Sequence, residues 1–145
     1  MDGQALALLG LALCVSLCGA GSSVALWKTG TAAAGVLAED GKKFAKVLVL
    51  AVLPATQGIY GFVLAIIASG KIVAGMTIAA GWGILAATLP LTIVGFVSAY
   101  FQGRTSVAGI MAIAKNESIS GKLILFPAMV ETYAILALVI SLMLL

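Results

Sequence analysis

Four long apolar stretches separated by three short breaks account for nearly the whole chain. They run from about Gly3 to Ala38, Ala45 to Ser69, Val73 to Ala114 and Lys122 to Leu145. Each holds at least the roughly 20 apolar residues that a helix needs to cross a bilayer. Only helices or closed barrels satisfy every backbone polar group in lipid. Stretches of this length predict four membrane-spanning helices. The first and third are longer than a bilayer requires, so they should tilt, curve or protrude. Glu39-Asp40-Gly41-Lys42-Lys43 is a polar turn, and Lys115 to Gly121 is another; Gly70-Lys71 between them is short and barely polar.

Composition agrees with this pattern. The chain is 63% hydrophobic and 9% charged, with mean hydropathy +1.23. A soluble domain carries about 25% charged residues, so there is too little polar surface to coat a water-soluble globule. The net charge of +3 does not suggest nucleic-acid binding, because the basic residues sit in turns between apolar spans. Histidine is absent, which excludes an imidazole metal site. Cys14 and Cys18, on consecutive turns of one face, read as small apolar packing residues. The start Met1-Asp2-Gly3-Gln4 lacks the basic residues of a signal peptide, and Leu17 precedes Cys18 where a lipoprotein cleavage site needs a small residue. The first span is expected to be a retained helix.

The basic residues also suggest an orientation. Lys42, Lys43 and Lys46 flank the first turn, Lys115 and Lys122 the third, and only Lys71 marks the middle one. The positive-inside rule places residues near 39–46 and 115–122 in the cytoplasm and both termini outside.

The chain repeats itself. Gly21, Thr31, Ala34, Gly35 and Ala38 recur 74 residues later as Gly95, Thr105, Ala108, Gly109 and Ala112. Pro54, Ala55, Tyr60 and Ile67 recur 73 residues later as Pro127, Ala128, Tyr133 and Ile140. Two helical hairpins, residues 1–70 and 71–145, are therefore expected in tandem and in the same orientation. Small residues crowd the first and third spans, from Gly19 to Ser23, from Ala32 to Gly35, and at Gly81, Gly83, Gly103 and Gly109. Small residues let membrane helices approach closely, which predicts a tight layer of spans one and three with two and four outside.

Glu131 lies ten residues past Gly121, about 15 Å along a helix and close to mid-membrane. A charge there costs roughly 2.5–3.5 kcal/mol on insertion scales. A helix that only had to span the bilayer has no reason to hold it, which makes it the candidate ion-carrying group. Leu53, Thr56, Gln57 and Tyr60 fall on one face of the second span at i, i+3, i+4 and i+7. Ser98, Gln102 and Thr105 form a second polar stripe at similar depth. Pro54 leaves the Leu50 carbonyl without its helical donor. Carboxylate, hydroxyl and amide oxygens together make a hard-oxygen cage suited to a small hard cation. One carboxylate balances one monovalent charge. A proton site needs only the carboxyl group, so the extra oxygens favour Na+ while H+ remains the alternative. Lys28, which the repeat aligns with Gln102, is expected to face an opening or to snorkel toward head groups; Arg104 is expected to be structural or to touch lipid.

These residues are recognisable as a set. Leu53-Pro54-Ala55-Thr56-Gln57-Gly58-Ile59-Tyr60-Gly61, Gln102-Gly103 and Met129-Val130-Glu131-Thr132-Tyr133-Ala134 resemble the proteolipid K (c) subunit of bacterial V-type ATPases, over essentially the whole chain. The carboxylate on the fourth span, with Gly58 at the matching place on the second, fits that resemblance. The resemblance implies an all-α membrane protein of four helices whose identical copies form a rotor ring. It implies a Na+ site made by Leu53 (through its carbonyl), Thr56, Gln57, Gln102 and Glu131, with Tyr60 locking the carboxylate. It also implies a stator membrane subunit with a basic residue, a central-stalk subunit on the cytoplasmic turns, surrounding lipid, a cell-membrane location, and no catalytic site in this chain. Pro127 and Lys28 lie outside the site pattern, and Lys28 resembles the eukaryotic relatives there. The rival from another class is a small four-helix transporter or a structural membrane protein, the latter having no need of the Thr56, Gln57, Gln102 and Glu131 set. Transporters usually show broken helices and inverted repeats, whereas this repeat is parallel and the helices read as continuous.

Overall fold

The computed structural model describes residues 2–145. It contains four helical spans long and apolar enough to cross a membrane: Gly3–Glu39, Gly41–Ser69, Ile78–Lys115 and Glu117–Leu144. No strand occurs among the described residues. The protein is a multi-pass membrane protein, as its hydropathy pattern requires. The first and third spans have 37 and 38 residues, about 55 Å each at 1.5 Å per residue. That exceeds the 40–45 Å of a whole bilayer, so both protrude or tilt.

Capping side chains set where the spans begin. Asp2 accepts the Ala5 amide at 2.8 Å, and Thr77 accepts the Ala80 amide at 3.2 Å. Asp40 and Asn116 end the first and third spans in near-identical extended conformations, φ −150°, ψ 97° and φ −147°, ψ 98°. Each then accepts the amide two residues on, Lys42 at 3.0 Å and Ser118 at 3.1 Å. Short polar side chains thus satisfy donors that a starting helix leaves unpaired.

The two polar turns lie together at one end of the bundle. Lys46 pairs with Glu117 at 3.0 Å, and Lys43 Nζ donates to the Ala114 carbonyl at 2.9 Å. At the other end, Gln4 Nε2 donates to the Val73 carbonyl at 3.0 Å. That connection is longer than the expected Gly70-Lys71 turn. It runs from Gly70 to Thr77, turns through Gly75 at φ +75°, and starts the third span at Ile78 rather than Val73. The apolar run Ile72-Val73-Ala74 hid this turn, because hydropathy alone does not separate loop from helix.

Spans one and three pack backbone to backbone. A Cβ added at Gly103 would stand 2.6 Å from Ala25 Cβ, and one at Gly21 would stand 2.9 Å from the Phe96 carbonyl oxygen. Spans two and four lie against this pair. A cluster of Ala33, Val36, Val47, Leu50, Ile110 and Ile113 fills the core toward the polar turns. A second, of Cys14, Cys18, Leu64, Leu91 and Ala137, fills it toward the opposite end. The cysteines are free and buried; Cys18 Sγ donates to the Leu91 carbonyl at 3.4 Å.

Spans two and four are not continuous α-helices, contrary to the sequence expectation. The second passes through a 3-10 turn at Leu53–Ala55, and the fourth is interrupted at Ile124, between Ser120–Leu123 and Leu125–Leu144. Proline is the physical reason in both. Pro54 and Pro127 cannot donate to the carbonyls of Leu50 and Leu123, four residues back. Pro90 is accommodated inside the third span without a break.

Candidate ion site at mid-membrane

On the second span, residues 53–60 lie between Leu50 of one core cluster and Leu64 of the other. The polar site is therefore enclosed between two apolar plugs. Glu131 stands midway along the fourth span and is 8% exposed. Its two oxygens are held by different spans. Oε1 accepts the Tyr60 hydroxyl at 2.6 Å, and Oε2 accepts Gln102 Nε2 at 3.0 Å. Gln57 and Gln102, both fully buried, are joined amide to amide, with Gln57 Nε2 donating to Gln102 Oε1 at 2.7 Å. Gln102 Nε2 also reaches the Pro127 carbonyl at 3.1 Å. The Thr56 hydroxyl lies 3.2 Å from the Leu53 carbonyl oxygen and 3.4 Å from Gln57 Oε1.

Leu53, Thr56, Gln57, Tyr60, Gln102 and Glu131 thus form one connected network across three spans. The 3-10 turn aims the Leu53 carbonyl, which receives the Thr56 amide as well as its hydroxyl. Ser98 completes the network. It accepts from Gln57 Nε2 at 3.3 Å and donates to the Val130 carbonyl at 3.0 Å. Its place on the polar stripe with Gln102 was the sequence signal for it. Thr105, on the same expected stripe, does not join; its hydroxyl turns back to the Phe101 carbonyl at 3.0 Å. The buried continuation of the stripe is Ser106, four residues past Gln102, because a helix face returns at i+4 as well as i+3.

Among the described residues no lysine or arginine pairs with Glu131. Lys28 Nζ instead stands 4.7 Å over the Tyr100 ring. With Trp27, Thr31, Ala32, Arg104 and Val107 it borders a separate open groove of about 450 Å³. An ionised carboxylate in a low-dielectric interior is costly unless its charge is balanced. The described residues supply hydrogen bonds to this one but no counter-charge.

The fold and site define a membrane proteolipid with one buried carboxylate at mid-span. Residues 9–68 and 85–144 each match the family of ATP synthase C subunits. V-type sodium ATPase subunit K of Enterococcus hirae is 40% identical over 142 residues, covering 98% of this chain and 91% of that one. A-type ATP synthase subunit K of Methanocaldococcus jannaschii is 39% identical over 145 residues, covering all of this chain and 64% of that one. The chain belongs to the ATP synthase C-subunit family, whose members assemble into rings. It is a rotor subunit of the V/A-type rotary ATPases, a membrane component without a catalytic site of its own.

Proposed function

We propose that this protein carries Na+ on Glu131 through the membrane as the ring turns. The observation that carries the proposal is the uncompensated carboxylate: Glu131 is nearly buried, no basic side chain among the described residues pairs with it, and the Tyr60 hydroxyl and the Gln102 amide nitrogen hold its two oxygens from the second and third spans. A monovalent cation neutralises the site and lets it traverse lipid. The Leu53 carbonyl, the Thr56 hydroxyl, the Gln57 and Gln102 amide oxygens and Glu131 are the ligands in this reading, and Tyr60 holds the carboxylate in place. A proton on Glu131 would also balance the charge. It would leave the cluster of Leu53, Thr56 and Gln57 oxygens, 3.2 and 3.4 Å apart, without a purpose. Similarity to a protein named a sodium ATPase subunit favours the same choice.

In this mechanism ATP hydrolysis elsewhere in the complex turns a central stalk seated on the polar turns, near residues 39–46 and 115–122, which face the cytoplasm; both termini lie outside the cell membrane. Each Glu131 is drawn past a stator membrane subunit whose basic residue displaces the ion. Each ion moved against the potential costs about 2.3 kcal/mol per 100 mV.

Carbodiimide modification of Glu131 tests the ion. Slow labelling that Na+ suppresses at constant pH is expected, because bound Na+ holds the carboxylate in its ligand shell. Labelling that responds to pH alone would refute Na+ and leave H+.

A further inference from the structure

The first span contributes no atom to the site just described, yet two of its side chains bracket the turn that forms half of it. Ser22 and Thr29 are seven residues apart, two turns along the same helix face, and both are buried, at 5% and 0% exposure. Thr29 Oγ1 donates to the Ala51 carbonyl at 2.7 Å. Ser22 Oγ accepts the Gly58 amide at 2.9 Å. Ala51 and Gly58 lie just before and just after the Leu53–Ala55 turn and Thr56–Gln57. Between the two clamping residues, Ala25 packs into the space left by Gly103, which fixes the height of the first span against the third.

Backbone chemistry explains why the clamp sits there. A 3-10 turn takes i→i+3 bonds, drawing its amides away from the carbonyls four residues back. The Ala51 carbonyl is one whose helical donor, the Ala55 amide, lies inside the turn. A buried carbonyl left without a donor is costly, and Thr29 supplies one. If Thr29 were lost, the turn could lower its energy by winding back toward α, which would re-aim the Leu53 carbonyl and the Thr56 hydroxyl. At the far side, Gly58 has no side chain, so Ser22 can approach its amide; a Cβ there would meet Ser22 at 3.3 Å.

We infer that Ser22 and Thr29 are positioning residues for cation binding: they hold the Leu53 carbonyl and the Thr56 hydroxyl in register for Na+ without touching the ion. This inference rests on the Na+ reading of the site. It separates two affinities. The groups that hold Glu131 itself, Tyr60 and Gln102, make no hydrogen bond to Ser22 or Thr29 among the described residues, and the clamped turn reaches Glu131 only through the Gln57–Gln102 bond, so loss of the clamp is expected to act on Na+ binding far more than on proton binding at Glu131.

The test uses intact rings in native membranes, with Thr29→Val, Ser22→Ala and the conservative Thr29→Ser. Carbodiimide labelling of Glu131 is measured against pH without Na+, and against Na+ at fixed pH. Thr29→Val is expected to raise the half-protecting Na+ concentration about 10- to 100-fold, the range seen when outer-shell partners of a metal site are removed. Its pH profile without Na+ should match that of the unmodified ring. Ser22→Ala should move the Na+ midpoint in the same direction, and Thr29→Ser should restore it. Unchanged Na+ protection in both Thr29→Val and Ser22→Ala overturns the inference while leaving the Na+ site standing. A shift of the pH profile along with the Na+ midpoint also overturns it, since that marks general loosening. If Thr29→Val fails to assemble, Ser22→Ala decides alone. No Na+ protection in the unmodified ring defeats the Na+ reading, and this inference with it.

Discussion

The two hairpins share a plan and differ at the carboxylate. In each, a long inner span packs against an outer span broken near a proline, Pro54 or Pro127, and side chains of the inner span bind the outer backbone there. Ser22 and Thr29 do so in the first hairpin; Ser98 and Gln102 do so in the second, through the Val130 and Pro127 carbonyls. At the matching position on the outer span the first hairpin has Gly58 and the second has Glu131. The 74-residue repeat places Lys28 opposite Gln102, and Lys28 turns away to Tyr100. The first hairpin lacks the carboxylate but supplies Leu53, Thr56, Gln57 and Tyr60 to the network. One site is therefore assembled from both hairpins, and the chain holds one mid-membrane carboxylate for four spans.

Removing the distinctive group of the second hairpin should have the largest effect. Glu131→Gln is expected to abolish ATP-driven ion uptake into vesicles while leaving the ring assembled. Intact transport in this variant would break the comparison outright. Gln102→Leu removes a bond to the carboxylate, and bonds to charged groups are worth about 1.5–3 kcal/mol. The half-protecting Na+ concentration should rise roughly ten- to a hundredfold. Gly61→Ala probes the first hairpin as scaffold. Its Cβ would stand 2.6 Å from Cys18 Cβ and 3.0 Å from the Cys14 carbonyl oxygen, and overpacking of this kind costs about 1–3 kcal/mol. A lower temperature of ring dissociation should result, read by native electrophoresis after heating. The smallest effect is expected from Lys46→Ala. Its partner Glu117 is half exposed, so the pair is worth about 1 kcal/mol or less, and the change in ring stability should vanish at high salt.

Much of this architecture was legible from the chain itself. Hydropathy sufficed for four spans because lipid permits few alternatives. Helical spacing put Leu53, Thr56, Gln57 and Tyr60 on one face, and the cost of a mid-membrane charge drew attention to Glu131. Two things escaped. Beyond Gly70-Lys71 the connection is nearly as apolar as the spans it joins, and only Gly75 and Thr77 betray its extension. The breaks at Leu53–Ala55 and Ile124 depend on how the carbonyls that lose their helical donors there are re-satisfied, as Thr29 does for Ala51, and that pairing across 22 residues has no periodic signature. For the same reason spacing points to Thr105 on the stripe, whereas packing buries Ser106 there instead.

The central claim is that Glu131 carries Na+ itself, not protons later exchanged for it. ATP-driven uptake of radioactive Na+ into liposomes bearing the whole complex, with a protonophore present, tests this directly. Primary Na+ transport predicts that uptake persists or increases, because the protonophore only relieves the opposing potential. Abolition of uptake by the protonophore would contradict the account and assign the carboxylate to H+.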